Sequence, residues 1–149
     1  MSGSEKSQVQ VDMVVVGAGF AGLYMTHKAQ EGGLSVTCFE AGDGVGGTWY
    51  WNRYPGARVD IECVEYSYSF SKELEQEWQW SERYAAQPEI ERYANHVAER
   101  FNLKEKIQFG TRVVSTIFDE TSRRWLVTTD QGDVVSAQYC IMATGLISA

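Results

Sequence analysis

Proline is nearly absent, with 2 residues in 149, and cysteine is scarce, with 3. So little proline excludes collagen-like and proline-rich chains. The cysteines, Cys38, Cys63 and Cys140, stand far apart and form no CxxC pair. Zinc ligation and a thioredoxin-type redox centre both need closely spaced cysteines, so neither is expected, and no metal site is expected elsewhere. An odd, scattered set is also a poor disulfide framework, and the expectation is three reduced thiols in a cytoplasmic protein. Positive charge is in deficit: 13 Lys plus Arg against 20 Asp plus Glu give a net charge of -7. Nonspecific nucleic-acid binding and docking on an anionic membrane both run on cations, so neither partner is expected. Long apolar runs are missing as well. The stretch around Met13–Val16 is shorter than the roughly 7–15 residues of a signal-peptide core and the about 20 of a membrane span. No export or transmembrane segment is expected.

What remains is a globular composition, 44% hydrophobic and 13% aromatic, with a length suited to one domain with a real core. Residues 1–10 are polar and of mixed charge, and are expected to form a flexible leader. Residues 11–149 are expected to form the domain. Val11–Val16 is a continuous, β-branched apolar run, the pattern of a strand covered on both faces. It leads straight into Gly17-Ala18-Gly19-Phe20-Ala21-Gly22. Leu23–Glu31 then reads as a helix stopped by Gly32-Gly33, and Ser35–Glu40 as a second strand. That is strand, turn, helix, turn and strand in about thirty residues, the size of one βαβ unit.

In that setting each glycine of the GxGxxG pattern has a mechanical reason. The first makes the tight turn, the second admits a pyrophosphate to the backbone, and the third lets helix pack on strand. The N–H groups and dipole of the helix N-terminus then face the phosphates. Glu40 stands where an acidic residue accepts hydrogen bonds from a ribose hydroxyl.

Residues 41–70 lack periodicity and are rich in Gly, Trp and Tyr. Residues 72–83 and 88–101 read as helices, with Pro88 at a first-turn position. Lys106–Phe109, Arg112–Phe118, Arg124–Thr129 and Val134–Gln138 alternate like strands of a small antiparallel meander, with polar turns at Asp119–Arg123 and Asp130–Asp133. Tyr139–Ala143 reads as a further buried strand, ended by Thr144-Gly145. The expected fold is α/β: a Rossmann-like dinucleotide-binding domain with a parallel sheet grown from the βαβ unit, a small antiparallel meander and extra helices.

The order of these parts, closing on Ala143-Thr144-Gly145, resembles the flavoproteins built on two dinucleotide-binding domains. A narrower resemblance lies in Gly47-Thr48-Trp49-Tyr50-Trp51-Asn52-Arg53-Tyr54-Pro55-Gly56-Ala57-Arg58-Val59-Asp60. It is similar to the GxWxxxxYPGxxxD signature of type I Baeyer–Villiger monooxygenases. The stretches 61–70 and 78–88 resemble that family too, near the phenylacetone, cyclohexanone and steroid monooxygenases. The likeness covers residues 11–149.

The resemblance implies FAD as cofactor and NADPH in the complete enzyme. It implies a reaction in which a C4a-peroxyflavin formed with O2 attacks a ketone to give an ester or lactone, with sulfides as alternative substrates. It further implies that Gly17, Ala18, Gly19, Phe20, Ala21 and Gly22 cradle the pyrophosphate and that Glu40 binds the adenosine ribose. Gly47, Thr48, Trp49, Tyr50 and Trp51 would run along the flavin, with Tyr66 also in contact. Val113 would touch the adenine by its backbone, and Ala143, Thr144 and Gly145 would lie near the flavin nucleotide. Arg58, Val59 and Asp60 would face the nicotinamide nucleotide. Asp60 is the catalytic candidate, paired in that family with an arginine of the NADPH domain.

Plainer readings stand beside these. Trp49 and Trp51 could be core aromatics, Asp60 a helix N-cap, and Arg53 and Arg58 solvated charges. His27 and His96 read as surface or packing residues, and Glu73, Glu75 and Glu77 as a solvated helix face. Only one GxGxxG, Gly17–Gly22, lies inside a βαβ unit, and the family's FxGxxxHxxxW-type motif is absent. The expectation is therefore the N-terminal FAD-binding part of a longer enzyme, lacking the NADPH domain and the returning FAD segment. The alternative is an isolated FAD-binding module with no turnover of its own, and self-association is an expected way to cover its exposed apolar surface. An N-hydroxylating or sulfide-oxidising flavoprotein and an NAD-binding regulator are the other rivals. The YPGxxxD segment argues against the N-hydroxylating or sulfide-oxidising flavoprotein.

Overall fold

The computed structural model describes residues 9–147. A six-stranded sheet runs through the centre. The strands are β1 (Val9–Val16), β2 (Val36–Phe39), β3 (Ile107–Gln108), β4 (Val113–Asp119), β5 (Arg124–Thr129) and β6 (Val134–Met142), in the order β3-β2-β1-β6-β5-β4. β1 pairs in parallel with β2 on one side and with β6 on the other. With a strand on each side and both faces covered, Val14 and Val15 are fully buried. An unbroken apolar run needs that environment. β1 starts at Val9, so Val9 and Gln10 of the expected leader belong to the sheet. The rest of that leader lies outside the described residues.

Helix α1 (Phe20–Glu31) connects β1 to β2. It buries Leu23, Thr26 and Ala29 against one face of the sheet and ends at Gly32, whose N–H donates to the Lys28 carbonyl, while Gly33 N–H donates to the Gln30 carbonyl. On the same side lies α5 (Gln87–Arg100), opened by Pro88. Its buried Ile90, Tyr93, Ala94, Val97 and Ala98 follow the i, i+3, i+4, i+7 spacing of a helix that covers a core.

The strand expected at Lys106–Phe109 is β3, which pairs in parallel with β2 at the edge opposite β4 and is no part of the meander; two further expectations need correction. The helix expected over 72–83 ends at Glu77, as α4 (Lys72–Glu77), capped by the Ser71 hydroxyl accepting from Leu74 N–H at 3.2 Å. A competing partner claims the backbone a few residues further on. Val59 N–H donates to the Ala85 carbonyl at 3.1 Å and Cys63 N–H to the Arg83 carbonyl at 2.9 Å, so residues 83–86 form a short ribbon with 58–63 instead of another helical turn. Second, the strands expected at Val134–Gln138 and Tyr139–Ala143 are the single strand β6. Its first half pairs antiparallel with β5 while its whole length pairs in parallel with β1, so the meander is the continuation of the parallel sheet. The irregular stretch 41–70 holds two one-turn helices, α2 (Thr48–Trp51) and α3 (Cys63–Tyr66). Among the described residues no helix is long and apolar enough to cross a membrane, and no group of three potential metal ligands is present.

Candidate functional site: a cleft at the strand ends

A cleft of ≈ 970 Å³ opens at the carboxyl ends of β1, β2 and β6, with Val16, Phe39 and Met142 in its wall. β1 sends its connection to β2 on one side and receives β6 on the other. That reversal is the switch point at which open α/β sheets bind ligands.

The wall beside α1 is shaped by glycine. Gly17 has φ +101°, and a Cβ there would lie 2.5 Å from the Ala143 carbonyl oxygen. A Cβ on Gly22 would lie 1.8 Å from the Gly17 carbonyl oxygen. A Cβ on Gly47 would come within 2.8 Å of the Gly19 Cα. These contacts bring strand β1, the start of α1, the loop before α2 and the end of β6 to backbone distance. Gly19 caps α1 without a side-chain hydrogen bond, and no acidic residue occupies the first turn. The N–H groups that the helix cannot satisfy therefore face the cleft at Gly19, Phe20 and Ala21, which is the equipment for holding an anion.

Glu40, 5% exposed, follows β2. One carboxylate oxygen accepts from Ala18 N–H at 2.7 Å and the other from Gly42 N–H at 2.8 Å. The carboxylate thus locks the glycine loop to the end of β2, and its remaining lone pairs can accept hydroxyl donors from the cleft.

The opposite wall is aromatic. The Trp49 indole N–H donates to the Tyr66 hydroxyl at 2.7 Å, and the rings meet edge to face. Phe20, at the start of α1, packs against Tyr66 with centroids 5.1 Å apart. Burial raises the Tyr66 phenol above its ordinary value; the Trp49 hydrogen bond opposes this and the Asp60 charge adds to it. Trp51 is half exposed at the rim, edge-on to Tyr50. Tyr50 itself is tied back to Asp43.

Of the residues expected to hold a cofactor, Gly17, Gly19, Phe20, Ala21, Glu40, Gly47, Thr48, Trp49, Trp51, Tyr66, Val113, Ala143, Thr144 and Gly145 line this one cleft. Ala18 and Gly22 are buried immediately behind it. Tyr50, Arg58, Val59 and Asp60 do not line it. Val59 is buried, while Arg58 and Asp60 are exposed on the ribbon formed with residues 83–86. Arg58 donates to Glu82 at 2.7 Å and to the Tyr84 carbonyl. Asp60 does not cap a helix: the residue before α3 is Glu62. His27 packs between Phe70 and Phe101, with centroids at 4.5 and 4.6 Å.

Three residues went unnoticed in the sequence. Thr111 and Arg112 line the cleft beside Val113, and their proximity to that position was the one available signal. Gln87, buried at the start of α5, donates to the Trp49 carbonyl and to Glu91. It lies in the stretch 78–88 that resembles the family, but nothing there marks it for a role at the site.

Fold and site together define a Rossmann-like dinucleotide-binding domain. The family described as NAD(P)-binding Rossmann-like domain matches residues 15–76. Baeyer–Villiger, cyclohexanone and steroid monooxygenases are among the relatives and solved structures that the chain matches. An acetone monooxygenase (methyl acetate-forming) from Gordonia sp. (strain TY-5) is 46% identical over 143 residues, which are 96% of this chain and 27% of that protein. A phenazine N-monooxygenase from Lysobacter antibioticus is 45% identical over 145 residues, 97% of this chain and 27% of that one. The solved structure of an oxidized steroid monooxygenase bound to NADP superposes with a TM-score of 0.91 at 60% identity, covering 92% of this chain and 26% of that one. The chain therefore spans about a quarter of the length of the proteins it matches. Similarity to a ketone-named and an N-oxygenating relative at nearly equal identity means that this stretch does not separate the two chemistries.

Proposed function

We propose that this chain is the FAD-binding part of an NADPH- and O2-dependent flavin monooxygenase that converts ketones to esters or lactones, with sulfides as further substrates. The observation that carries the reading is the pairing of Glu40 with a glycine loop that has no room for a Cβ at Gly17 or Gly22, at the switch point of the sheet. A dinucleotide fits this arrangement from end to end. Gly17–Gly22 would hold the pyrophosphate on free N–H groups, and Glu40 would accept the adenosine ribose hydroxyls. Val113 would meet the adenine. Gly47–Trp51, Tyr66 and Ala143–Gly145 would line the flavin side. Bound FAD supplies the electron transfer and oxygen activation.

The chain's own residues bind, orient and exclude water. The Trp49–Tyr66 hydrogen bond fixes both rings against Phe20. Asp60, exposed on a ribbon pinned by Arg58 and Glu82, would face the nicotinamide nucleotide together with Arg58 and Val59. There, in the complete enzyme, it would pair with an arginine of the NADPH domain, and that arginine would stabilise developing negative charge. The domain is taken to run from residue 9, where β1 begins, to 149, in a protein of the reducing cytoplasm.

A second reading, a module that holds FAD and turns nothing over, draws on the quarter-length match. Met142, Leu146 and Ile147 are exposed apolar side chains at the β6 end of the cleft, so self-association belongs to this reading. Light scattering that gives a monomer across the micromolar range rejects it. The experiment for the main reading is the visible absorption spectrum of the chain after incubation with FAD and desalting. A retained flavin spectrum that NADPH alone does not bleach is the expected result. A colourless chain that binds NAD instead overturns the assignment.

A further inference from the structure

The cleft is lined by one carboxylate, Glu40, and among the described residues by one cation, Arg112. The backbone around Arg112 is held from several sides. Arg112 N–H donates to the Asp130 carboxylate at 3.0 Å, and the Arg112 carbonyl accepts from Asp130 N–H at 2.8 Å. Gln131 donates to the Gly110 carbonyl and the Thr111 hydroxyl, both at 3.1 Å. Thr111 N–H donates to the Glu40 carbonyl at 2.9 Å. Five bonds therefore fix residues 110–112 beside Glu40. By contrast, the Arg112 guanidinium is exposed, and among the described residues no hydrogen-bond or ion-pair partner reaches it. A rigid backbone thus carries an uncommitted charge at the edge of the site.

The order along the cleft says what that charge would meet. The glycine loop lies on one side of Glu40, bonded to it through Ala18. Thr111 and Arg112 lie on the other, bonded through the Glu40 carbonyl. If the glycine loop holds the phosphates and Glu40 the ribose, the group next in line is the base.

We propose that Arg112 is a recognition residue for the adenosine half of an adenine dinucleotide, its guanidinium plane packing on the adenine ring. The proposal rests on the reading of the cleft as an FAD site. A guanidinium is suited to this position because it is planar, weakly hydrated and always charged, and it stacks on π faces where an ammonium does not. FMN lacks the adenosine and would not meet Arg112.

The test is the dissociation constant of FAD and of FMN, read by flavin fluorescence, for the wild-type chain, R112A and R112K. Both variants change an exposed side chain, and unchanged circular dichroism checks their folding. R112A is expected to weaken FAD binding by about three- to tenfold and to leave FMN binding unchanged, with R112K recovering little. Equal losses for FAD and FMN would make Arg112 a general attractor of phosphate and overturn the proposal. Full rescue by R112K together with a steep salt dependence would overturn it in favour of a pyrophosphate contact. Equal FAD affinity in R112A and wild type overturns the proposal alone. A wild-type chain that binds no FAD overturns the proposal together with the reading of the cleft.

Discussion

Gly22→Ala adds one carbon at a point where the backbone has no room for it. The new Cβ would sit 1.8 Å from the Gly17 carbonyl oxygen, 2.9 Å from the Gly17 carbonyl carbon and 3.6 Å from the Ala143 Cβ. Comfortable non-bonded contact begins near ~3.5 Å, so α1 must draw back from the loop by roughly 1.5 Å or more. The nearest two atoms are main chain, and no rotamer change relieves the clash. Overpacking of this kind costs about 1–3 kcal/mol and occasionally more, against which alanine in a helix regains about 1 kcal/mol. A net loss of up to about 2 kcal/mol corresponds to a fall in Tm of up to about 4–8 °C in a domain of this size. Thermal unfolding followed by circular dichroism measures it, and FAD titration should show the affinity collapsing because the first-turn N–H groups move with the helix.

Gly33→Ala is the control. Gly33 has φ +73° and nothing within 4 Å of its would-be Cβ. It carries only the left-handed strain of roughly 1–2 kcal/mol, far from the cleft, and should leave FAD affinity unchanged. If Gly22→Ala melts within a degree of wild type and binds FAD normally, the tight strand–helix crossing is not what the glycine serves and the reasoning is refuted.

Three further predictions concern buried polar groups and thiols. Glu40→Leu leaves the Ala18 and Gly42 N–H groups without an acceptor, at about 1–3 kcal/mol for each. Urea unfolding should show the loss, with Glu40→Gln losing about half as much because it keeps one acceptor oxygen. Burial between Phe70 and Phe101 holds the His27 imidazole below its ordinary 6.5, so the unfolded chain takes up a proton first as pH falls. Stability should be full above pH 6.5 and decline below it. His27→Leu should flatten urea midpoints between pH 7 and 5.5, and a slope unchanged by that substitution rejects the role. Burial pushes the Cys38 thiol up to about 12, and Cys63 is also buried. Alkylation of the native chain at pH 8, mapped by mass spectrometry, should mark half-buried Cys140 first. Labelling of Cys38 ahead of Cys140 contradicts the packing.

Residues 11–40 were legible because each signal there is local. A β-branched run, three spaced glycines and an acidic residue after the second strand all report on neighbours close in the chain. The aromatic stretch was legible only as a segment rich in rings. Its shape depends on partners far away, such as Trp49 on Tyr66 and Val59 on Ala85. The helix expected over 72–83 failed for that reason: helix propensity competed with a ribbon partner about twenty residues upstream, and the ribbon won. Arg112 was invisible because neither its exposure nor its neighbour Glu40, 72 positions earlier, leaves a mark in the local pattern. The joining of parallel sheet and meander was hidden because one long strand with different partners on its two edges reads as two.

The placement of β6 has a consequence for how the molecule assembles. Val9 lies beside Val135 and Val16 beside Met142, so the centre of the sheet is closed by the strand latest in sequence. β1 can recruit β2 early, across a single helix, but its other edge stays open until a segment more than a hundred residues away arrives. Closing such a span costs loop entropy before any contact rewards it, and chains dominated by distant pairings fold slowly. During that interval an apolar central strand offers a free edge. The time spent waiting, more than the finished structure, sets the window in which this chain is open to mispairing.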